Sequence, residues 1–443
     1  MCTIKPKEAC GVFAISIETG VDLEELMTPG LKSLQHRGED GVGIAYNEGQ
    51  KSVEVIKSTG LVADMCFHQK EKLSSMHGSA GIGHVRYGTQ GSNALDYVQP
   101  FTRPGGQIAV AFNGQLKTLS YGSDTERLYE RFKTYLETRD VKTFRALDTL
   151  VETGPDEAFS VVGMNDDTVF AYRDSRGTRP LFYAEFKAGD KKAVAVASET
   201  CAFNHLYPLK IHEIQPGQLV EIRKGLVVNI FQGNSNNVGF CAFEGLYFSR
   251  EDSLLKIQTM YDVRKQLGRE LASEDMCISN DIDVVIGVPQ SGLPAALGYA
   301  QQINCPFEFG IIKSRYKGRS FIQSDDEKRK TLLMNKLHVQ SSVVKDKNIV
   351  VVDDTLVRGH TMKYLVACLR DAGAKAVHVR IAAPPIISPC TKGVDTGRET
   401  KLPASTLQHI ELESFIGADS LGFLSISNLK KVLGDSICLD CFL

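Results

Sequence analysis

The most restrictive stretch of this chain is an apolar run, Asn348-Ile-Val-Val-Val352, which ends on two adjacent acids, Asp353 and Asp354, and passes into Thr355-Leu-Val-Arg-Gly-His-Thr361. So short a run of β-branched residues predicts a strand buried on both faces, as in a parallel sheet. A helix is predicted next, over 361–372, with Met362, Leu365, Val366 and Leu369 on one face and Gly373 as its stop. Ala376-Val-His-Val-Arg-Ile-Ala382 then reads as a second buried strand, which completes a βαβ unit. In such units the loop leaving the carboxyl end of the strand faces the ligand. Paired carboxylates there accept hydrogen bonds from vicinal hydroxyls, and a loop with Gly359 between the hydroxyls of Thr355 and Thr361 turns backbone N–H groups toward a phosphate. A sugar phosphate suits both features, although the acids alone suit a helix cap equally well.

The 443 residues are enough for two cores. The first half is rich in short, Gly-bounded apolar runs, at 11–15, 41–46, 107–112, 159–162 and 193–197, which predict stacked antiparallel sheets. Its clearest helix, over 124–137, is opened by the capping sequence Ser123-Asp124-Thr125-Glu126. A polar Gly/Asn-rich stretch at 232–237 reads as a linker, after which strands and helices alternate. A net charge of −2 favours neither nucleic acid nor an anionic membrane. The apolar runs fall short of the roughly 18 residues that a membrane span needs. With no secretory signal at the amino terminus, a cytoplasmic location is expected. Eleven cysteines, an odd number, argue against a disulfide framework.

Cys10-Gly-Val-Phe-Ala-Ile15 opens the first strand. Read alone, Cys10 suits a buried strand thiol or a nucleophile. A thiol at a chain terminus has its own α-amino group as general base, and Gly11 leaves the strand end open. Gln35-His-Arg-Gly-Glu39, Gly83-His-Val-Arg-Tyr87, Val98-Gln-Pro-Phe101, Asn113-Gly114 and Ser123-Asp124 follow in order. This set resembles the class II glutamine amidotransferases. The resemblance implies that Cys10 attacks the glutamine amide, that Asn113 and Gly114 form the oxyanion hole, that Arg86 binds the α-carboxylate, and that Asp124 holds the α-ammonium. It also implies a propeptide, residues 1–9, whose removal frees the Cys10 amine; Cys2, exposed by loss of Met1 alone, lacks the following Gly and strand. Phe112 replaces the usual His before Asn-Gly, Gln115 replaces the usual Asn, and the interval from Asn113 to Asp124 is short. Altered glutamine binding would follow from these departures.

The strand, two acids and hydroxyl-bearing loop resemble type I phosphoribosyltransferases. Phe243-Glu-Gly-Leu-Tyr-Phe-Ser-Arg250, Pro294-Ala-Ala-Leu-Gly-Tyr299, Lys313-Ser-Arg-Tyr-Lys-Gly-Arg-Ser-Phe-Ile322 and Phe415-Ile-Gly-Ala-Asp-Ser-Leu-Gly422 extend the likeness. With the first half included, nearly the whole chain resembles the amidophosphoribosyltransferase family. The implied fold is a four-layer α+β Ntn-hydrolase (αββα) domain over 10–235, then an α/β parallel-sheet phosphoribosyltransferase domain over 236–443. Val288-Pro-Gln-Ser-Gly292 fits the pyrophosphate loop, with Ser291, Asp353 and Asp354 near Mg2+ and Gln290 in place of the usual acid. Thr355, Arg358, Gly359 and Thr361 would hold the 5-phosphate beside His360, which replaces a usual Thr. Lys313, Arg315 and Arg319 read as a cationic lid over pyrophosphate or as a solvated basic loop. Cys438-Leu-Asp-Cys441, with Cys241 and Cys390, matches the thiolate positions of cluster-bearing relatives; four thiolates suit zinc or a [4Fe–4S] cluster, and the resemblance points to the cluster.

The expected activity is glutamine-dependent formation of 5-phosphoribosylamine, glutamate and diphosphate from phosphoribosyl pyrophosphate, the committing step of purine synthesis. Purine nucleotides as feedback inhibitors and a homo-oligomer, a tetramer, are implied by the resemblance. Phe112, Gln290 and the short segment before Asp124 leave open a paralogue that aminates another phosphosugar or uses free ammonia. A non-catalytic phosphoribosyl pyrophosphate or nucleotide sensor is the rival of another class.

Overall fold

The computed structural model describes residues 10–47, 52–88, 95–115, 124–138, 158–233, 235, 239–275, 281–314, 337–394, 396 and 402–443. The apolar runs of the first half form strands β1 (Gly11–Asp22), β2 (Gly41–Asn47), β3 (Glu54–Thr59), β4 (His77–Arg86), β5 (Ile108–Gln115), β6 (Ala158–Asn165), β7 (Thr168–Arg173), β8 (Phe182–Ala188), β9 (Lys191–Ala197), β10 (Lys210–Glu213), β11 (Gln218–Arg223) and β12 (Leu226–Gln232). They make a seven-stranded sheet in the order β10-β8-β9-β1-β4-β2-β3 and a five-stranded sheet in the order β12-β11-β7-β6-β5.

Strand alternation explains the layers. On β1, Phe13, Ile15 and Ile17 pack outward with Met27 and Leu31 of the helix Glu24–Ser33. Val12 and Ala14 turn inward, to a core shared with Ala109, Ala111, Val162 and Ala171 of the second sheet. On the far side of that sheet, Val110, Phe112, Val161 and Phe170 meet Leu128, Phe132 and Tyr135 of the helix Asp124–Thr138. Helix, sheet, sheet and helix therefore stack as read from the sequence. β1 runs past the expected Ile15 to Asp22, with its register to β4 shifted between Ser16 and Val21.

The second half is built on β13 (Val284–Gly287), β14 (Phe307–Glu308), β15 (Asn348–Asp353), β16 (Ala376–Ile381) and β17 (Ser420–Phe423). All pair in parallel, in the order β14-β13-β15-β16-β17. Ile349 to Val352 are wholly buried, as a run with no polar alternation requires. Gly287 lies opposite Val352 in the register, so the loops leaving β13 and β15 emerge side by side. The helix after β15 spans His360–Asp371, one residue earlier than the sequence suggests, and buries Met362, Leu365, Val366 and Leu369. At its amino end Gly359 takes φ +71°, and a Cβ there would stand 3.0 Å from the Phe415 ring. The carboxyl-terminal tail returns to the start of this half, where Ile437–Cys438 pairs in parallel with Phe240–Cys241.

Candidate active sites

Cys10 immediately precedes β1, whose Gly11 pairs with Val85 of β4 in antiparallel register. One step outward on each strand are Cys10 and Arg86, so the register brings the expected nucleophile beside the expected carboxylate binder. The Cys10 thiol is half-buried and points at the Tyr87 carbonyl, 3.9 Å away. Asn113 and Gly114 lie just before Gln115, the last residue of β5, and Asn113 faces Ser160 of β6. Asn113 is completely buried, yet among the described residues its side-chain amide and the Ser160 hydroxyl have no hydrogen-bond partner. An unmet buried donor is costly, at about 1–3 kcal/mol, and is expected where a transient ligand supplies the missing partner. Gly114 takes φ +139°, and a Cβ there would sit 2.1 Å from the Ala158 carbonyl oxygen. Phe112 turns the other way, into the apolar layer under the helix Asp124–Thr138. The loss of the usual His at this position therefore leaves the inner face of β5 untouched.

His84, on β4 and fully buried, belongs to the same region. Burial first, and the charge of Arg86 next, depress its imidazole to about 3, against a smaller opposing pull from the Phe112 backbone. It is neutral throughout the physiological range.

A buried ionic network lies behind the nucleophile. Arg37, wholly buried, donates from Nε to the Cys10 carbonyl at 3.1 Å and ion-pairs with Glu199 at 2.5 Å and Glu244 at 2.8 Å. Burial alone would raise both carboxyls, but His36 and Arg37 outweigh it at Glu199, and Arg37 with Arg179 at Glu244, so both are held below the ordinary carboxylate range. The sequence singles out Gln35-His-Arg-Gly but assigns Arg37 no role. A charge set among aromatics, as in Phe243-Glu-Gly-Leu-Tyr-Phe248, is the available signal, because such a charge is buried only when paired.

In the second half Asp353 and Asp354 are buried at the carboxyl end of β15. Asp354 accepts from the Thr355 hydroxyl at 2.7 Å and from the Ser291 hydroxyl. The loops after β13 and β15 are thus joined through the residues expected to meet magnesium and ribose. Gly359 lies just before the helix His360–Asp371, whose free N–H groups suit a phosphate near Thr361. A cavity of about 520 Å³ is lined by His36, Arg37, Glu39 and Tyr87 from the first half and by Tyr247, Arg264, Gln290, Ser291 and Lys313 from the second. Nothing in the sequence points to Arg264, which is buried with its guanidinium bonded to the Gly245 and Ser249 carbonyls.

Cys241, Cys390, Cys438 and Cys441 converge from separate segments on a void of about 10 Å³, with Thr391 and Lys392 alongside. The Cys441 thiol bonds to Cys390, which draws Cys390 down to about 6 and pushes Cys441 up. The Lys392 ammonium lies 3.7 Å from the Cys438 sulfur. An all-sulfur donor set with nearby cations suits a soft metal or a cluster. The void itself has room for little more than one water-sized body. Among the described residues no group of three or more His, Cys, Asp or Glu stands in ligating geometry.

Residues 1–9, Arg315 and Arg319, and the side chain of Asp124, lie outside the described residues. No helix among the described residues is long and apolar enough to cross a membrane.

Residues 10–134 match the model of glutamine amidotransferases class-II, and residues 251–415 match that of the phosphoribosyl transferase domain. The chain is 37% identical to the amidophosphoribosyltransferase of Bacillus subtilis, over 98% of this chain and 92% of that one. To that of Methanocaldococcus jannaschii it is 35% identical, over 98% and 96%. Among solved structures, one described as the allosteric regulatory enzyme of purine biosynthesis superposes with a TM-score of 0.84 at 35% identity, covering 98% of this chain and 95% of that one. The glutamine phosphoribosylpyrophosphate amidotransferase of Bacillus subtilis, complexed with ADP and GMP, superposes with a TM-score of 0.83 at 35% identity, covering 98% and 96%.

Proposed function

The chain belongs to the amidophosphoribosyltransferase family, and from that premise we propose that it converts glutamine, water and phosphoribosyl pyrophosphate into 5-phosphoribosylamine, glutamate and diphosphate, as the first step of purine synthesis. The observation that carries this reading is the shared cavity, which joins the surroundings of Cys10 to the Ser291 and Lys313 region. Residues 10–235 are the glutaminase unit and residues 236–443 the phosphoribosyltransferase unit.

Removal of residues 1–9 frees the Cys10 amine. Support comes from its φ of +31°, a conformation L residues rarely hold and one that ceases to be defined once Cys10 begins the chain. The amine takes the thiol proton as sulfur attacks the amide carbon of glutamine. Charge then develops on the amide oxygen, where the Asn113 side-chain N–H and the Gly114 backbone N–H receive it. Arg86 and Asp124 hold the two ends of the amino acid. Ammonia leaves, water releases glutamate from the thioester, and ammonia crosses the cavity to C1 of the sugar.

There Asp354 exchanges the Ser291 and Thr355 hydroxyls for those of ribose, and with Asp353 it opposes the positive charge that develops as diphosphate departs. Thr355, Arg358, Gly359 and Thr361 hold the 5-phosphate. Lys313 and Arg315 neutralise the leaving group. Ser291, Asp353 and Asp354 would hold Mg2+, which when bound would offset the charge of diphosphate. Cys241, Cys390, Cys438 and Cys441 would hold a [4Fe–4S] cluster or zinc, either of which would tie the tail to the start of the second unit; the void of about 10 Å³ suits the single ion, and a cluster would require the four thiols to part. Purine nucleotides act as feedback inhibitors, which the ADP and GMP of the Bacillus subtilis complex support, and the chain works as a homo-oligomer in the cytoplasm.

Intact mass and metal analysis of anaerobically purified protein, alongside phosphoribosyl pyrophosphate consumption with glutamine or ammonium chloride, test the reading. Loss of residues 1–9, iron with inorganic sulfide, and turnover with both donors are expected. An intact amino terminus or turnover with ammonium alone counts against the glutaminase, and no turnover with either supports a sensor.

A further inference from the structure

A guanidinium in a protein interior keeps its place only while its partners keep theirs. Arg37 is such a group, and its partners come from both units. Nε donates to the Cys10 carbonyl at 3.1 Å, Nη1 to Glu199 at 2.5 Å and to Glu244 at 3.0 Å, and Nη2 to Glu244 at 2.8 Å. Glu199 follows β9 of the glutaminase but also accepts from the Ser253 hydroxyl at 2.7 Å and the Arg250 backbone N–H at 2.9 Å, both in the second unit. Glu244 lies in the turn that opens the second unit and accepts from the Ser249 hydroxyl at 3.2 Å. It also meets Arg179 at 3.3 Å, and the other arm of Arg179 donates to the Lys392 carbonyl, beside the thiol void, at 2.8 Å. Two guanidiniums face two carboxylates, all four buried, and the His36 imidazole also meets Glu199 at 2.8 Å.

Once Cys10 begins the chain, nothing upstream holds it, and its carbonyl is the first fixed point behind the nucleophile. We propose that Arg37 is a positioning residue whose hold on that carbonyl is set by Glu244, so that glutamine hydrolysis runs at full rate only while the phosphoribosyltransferase unit is seated against the glutaminase. This rests on the reading of Cys10 as the glutaminase nucleophile. It goes beyond that reading by assigning control of the nucleophile to a carboxylate that touches neither substrate.

The test is Glu244→Gln in the full-length, processed protein, assayed with glutamine and with ammonium chloride. A neutral amide in place of the carboxylate leaves Arg37 paired with Glu199 but loosens its hold on the second unit, so kcat with glutamine should fall about tenfold while KM for glutamine changes less than about twofold, because Arg86 and Asp124 are untouched. Ammonia-dependent turnover should stay within about twofold, which also reports that the second unit is folded. Glu244→Asp keeps the charge at shorter reach and should recover part of the loss. If Glu244→Gln aggregates, Glu244→Asp carries the test, with a glutamine-specific fall of about threefold expected. Equal losses with both donors, a rise in KM alone, or unchanged glutamine kcat would overturn the proposal. A wild-type protein that cannot use glutamine would instead remove the reading on which it rests.

Discussion

In the glutaminase unit the Asn113 amide and the Ser160 hydroxyl are buried without partners among the described residues, fixed by the register of β5 on β6. In the phosphoribosyltransferase unit Asp354 is buried too, but it is bonded to Ser291 and Thr355 on adjoining loops. A sandwich packed on both faces can hold an unmet donor in place, because neighbouring strands leave it nowhere to turn. Loops at the edge of a parallel sheet cannot, so their carboxylates bond to local hydroxyls until substrate replaces them. On the proposed roles, the first site would be set before glutamine arrives, whereas the second would rearrange as phosphoribosyl pyrophosphate enters.

Cys10→Ala breaks this comparison most sharply. Glutamine-dependent synthesis should fall by about 10³-fold or more, with ammonia-dependent synthesis retained, as steady-state rates with each donor will show. Asp354→Asn should cost about 10²-fold with both donors, because it strikes the sugar rather than the nitrogen source. Lys313→Ala is milder, with a roughly tenfold higher KM for phosphoribosyl pyrophosphate and an unchanged KM for glutamine.

The smallest effect concerns His84. Its imidazole is held near 3 in the folded chain against an ordinary value of 6.5, so below 6.5 the unfolded chain binds a proton that the folded one refuses. Its contribution to stability is complete above 6.5 and is lost as pH falls toward 3. Denaturant titrations across that window should show stability dropping, and His84→Gln should flatten the slope by up to about 1.4 kcal/mol per pH unit. An unchanged slope would mean that the imidazole charges freely in the folded protein.

The same contrast governs what the sequence reveals. The proposed phosphoribosyl site is nearly contiguous, from Asn348 to Thr361, and its strand, acids and loop announce themselves through a buried run, two carboxylates and a glycine. The proposed glutaminase site is assembled from Cys10 just before β1, Arg86 on β4 and Asn113 on β5, and only the ordered likeness to a known family joins them in the sequence. Phe112 reads as a departure at the site because its neighbour in the chain is Asn113, yet strand alternation sends its ring to the opposite face. Arg37, Glu199 and Glu244 escape a sequence reading because charge pairs between distant segments leave no local pattern; the Arg37–Glu244 pair spans 207 positions.

Supplying glutamine labelled with 15N in its amide, together with phosphoribosyl pyrophosphate and an excess of unlabelled ammonium, tests the shared interior most directly. The account predicts that 5-phosphoribosylamine carries the label largely undiluted, because ammonia travels from Cys10 to the sugar inside the protein. Product nitrogen that matches the bulk ammonium pool would contradict it.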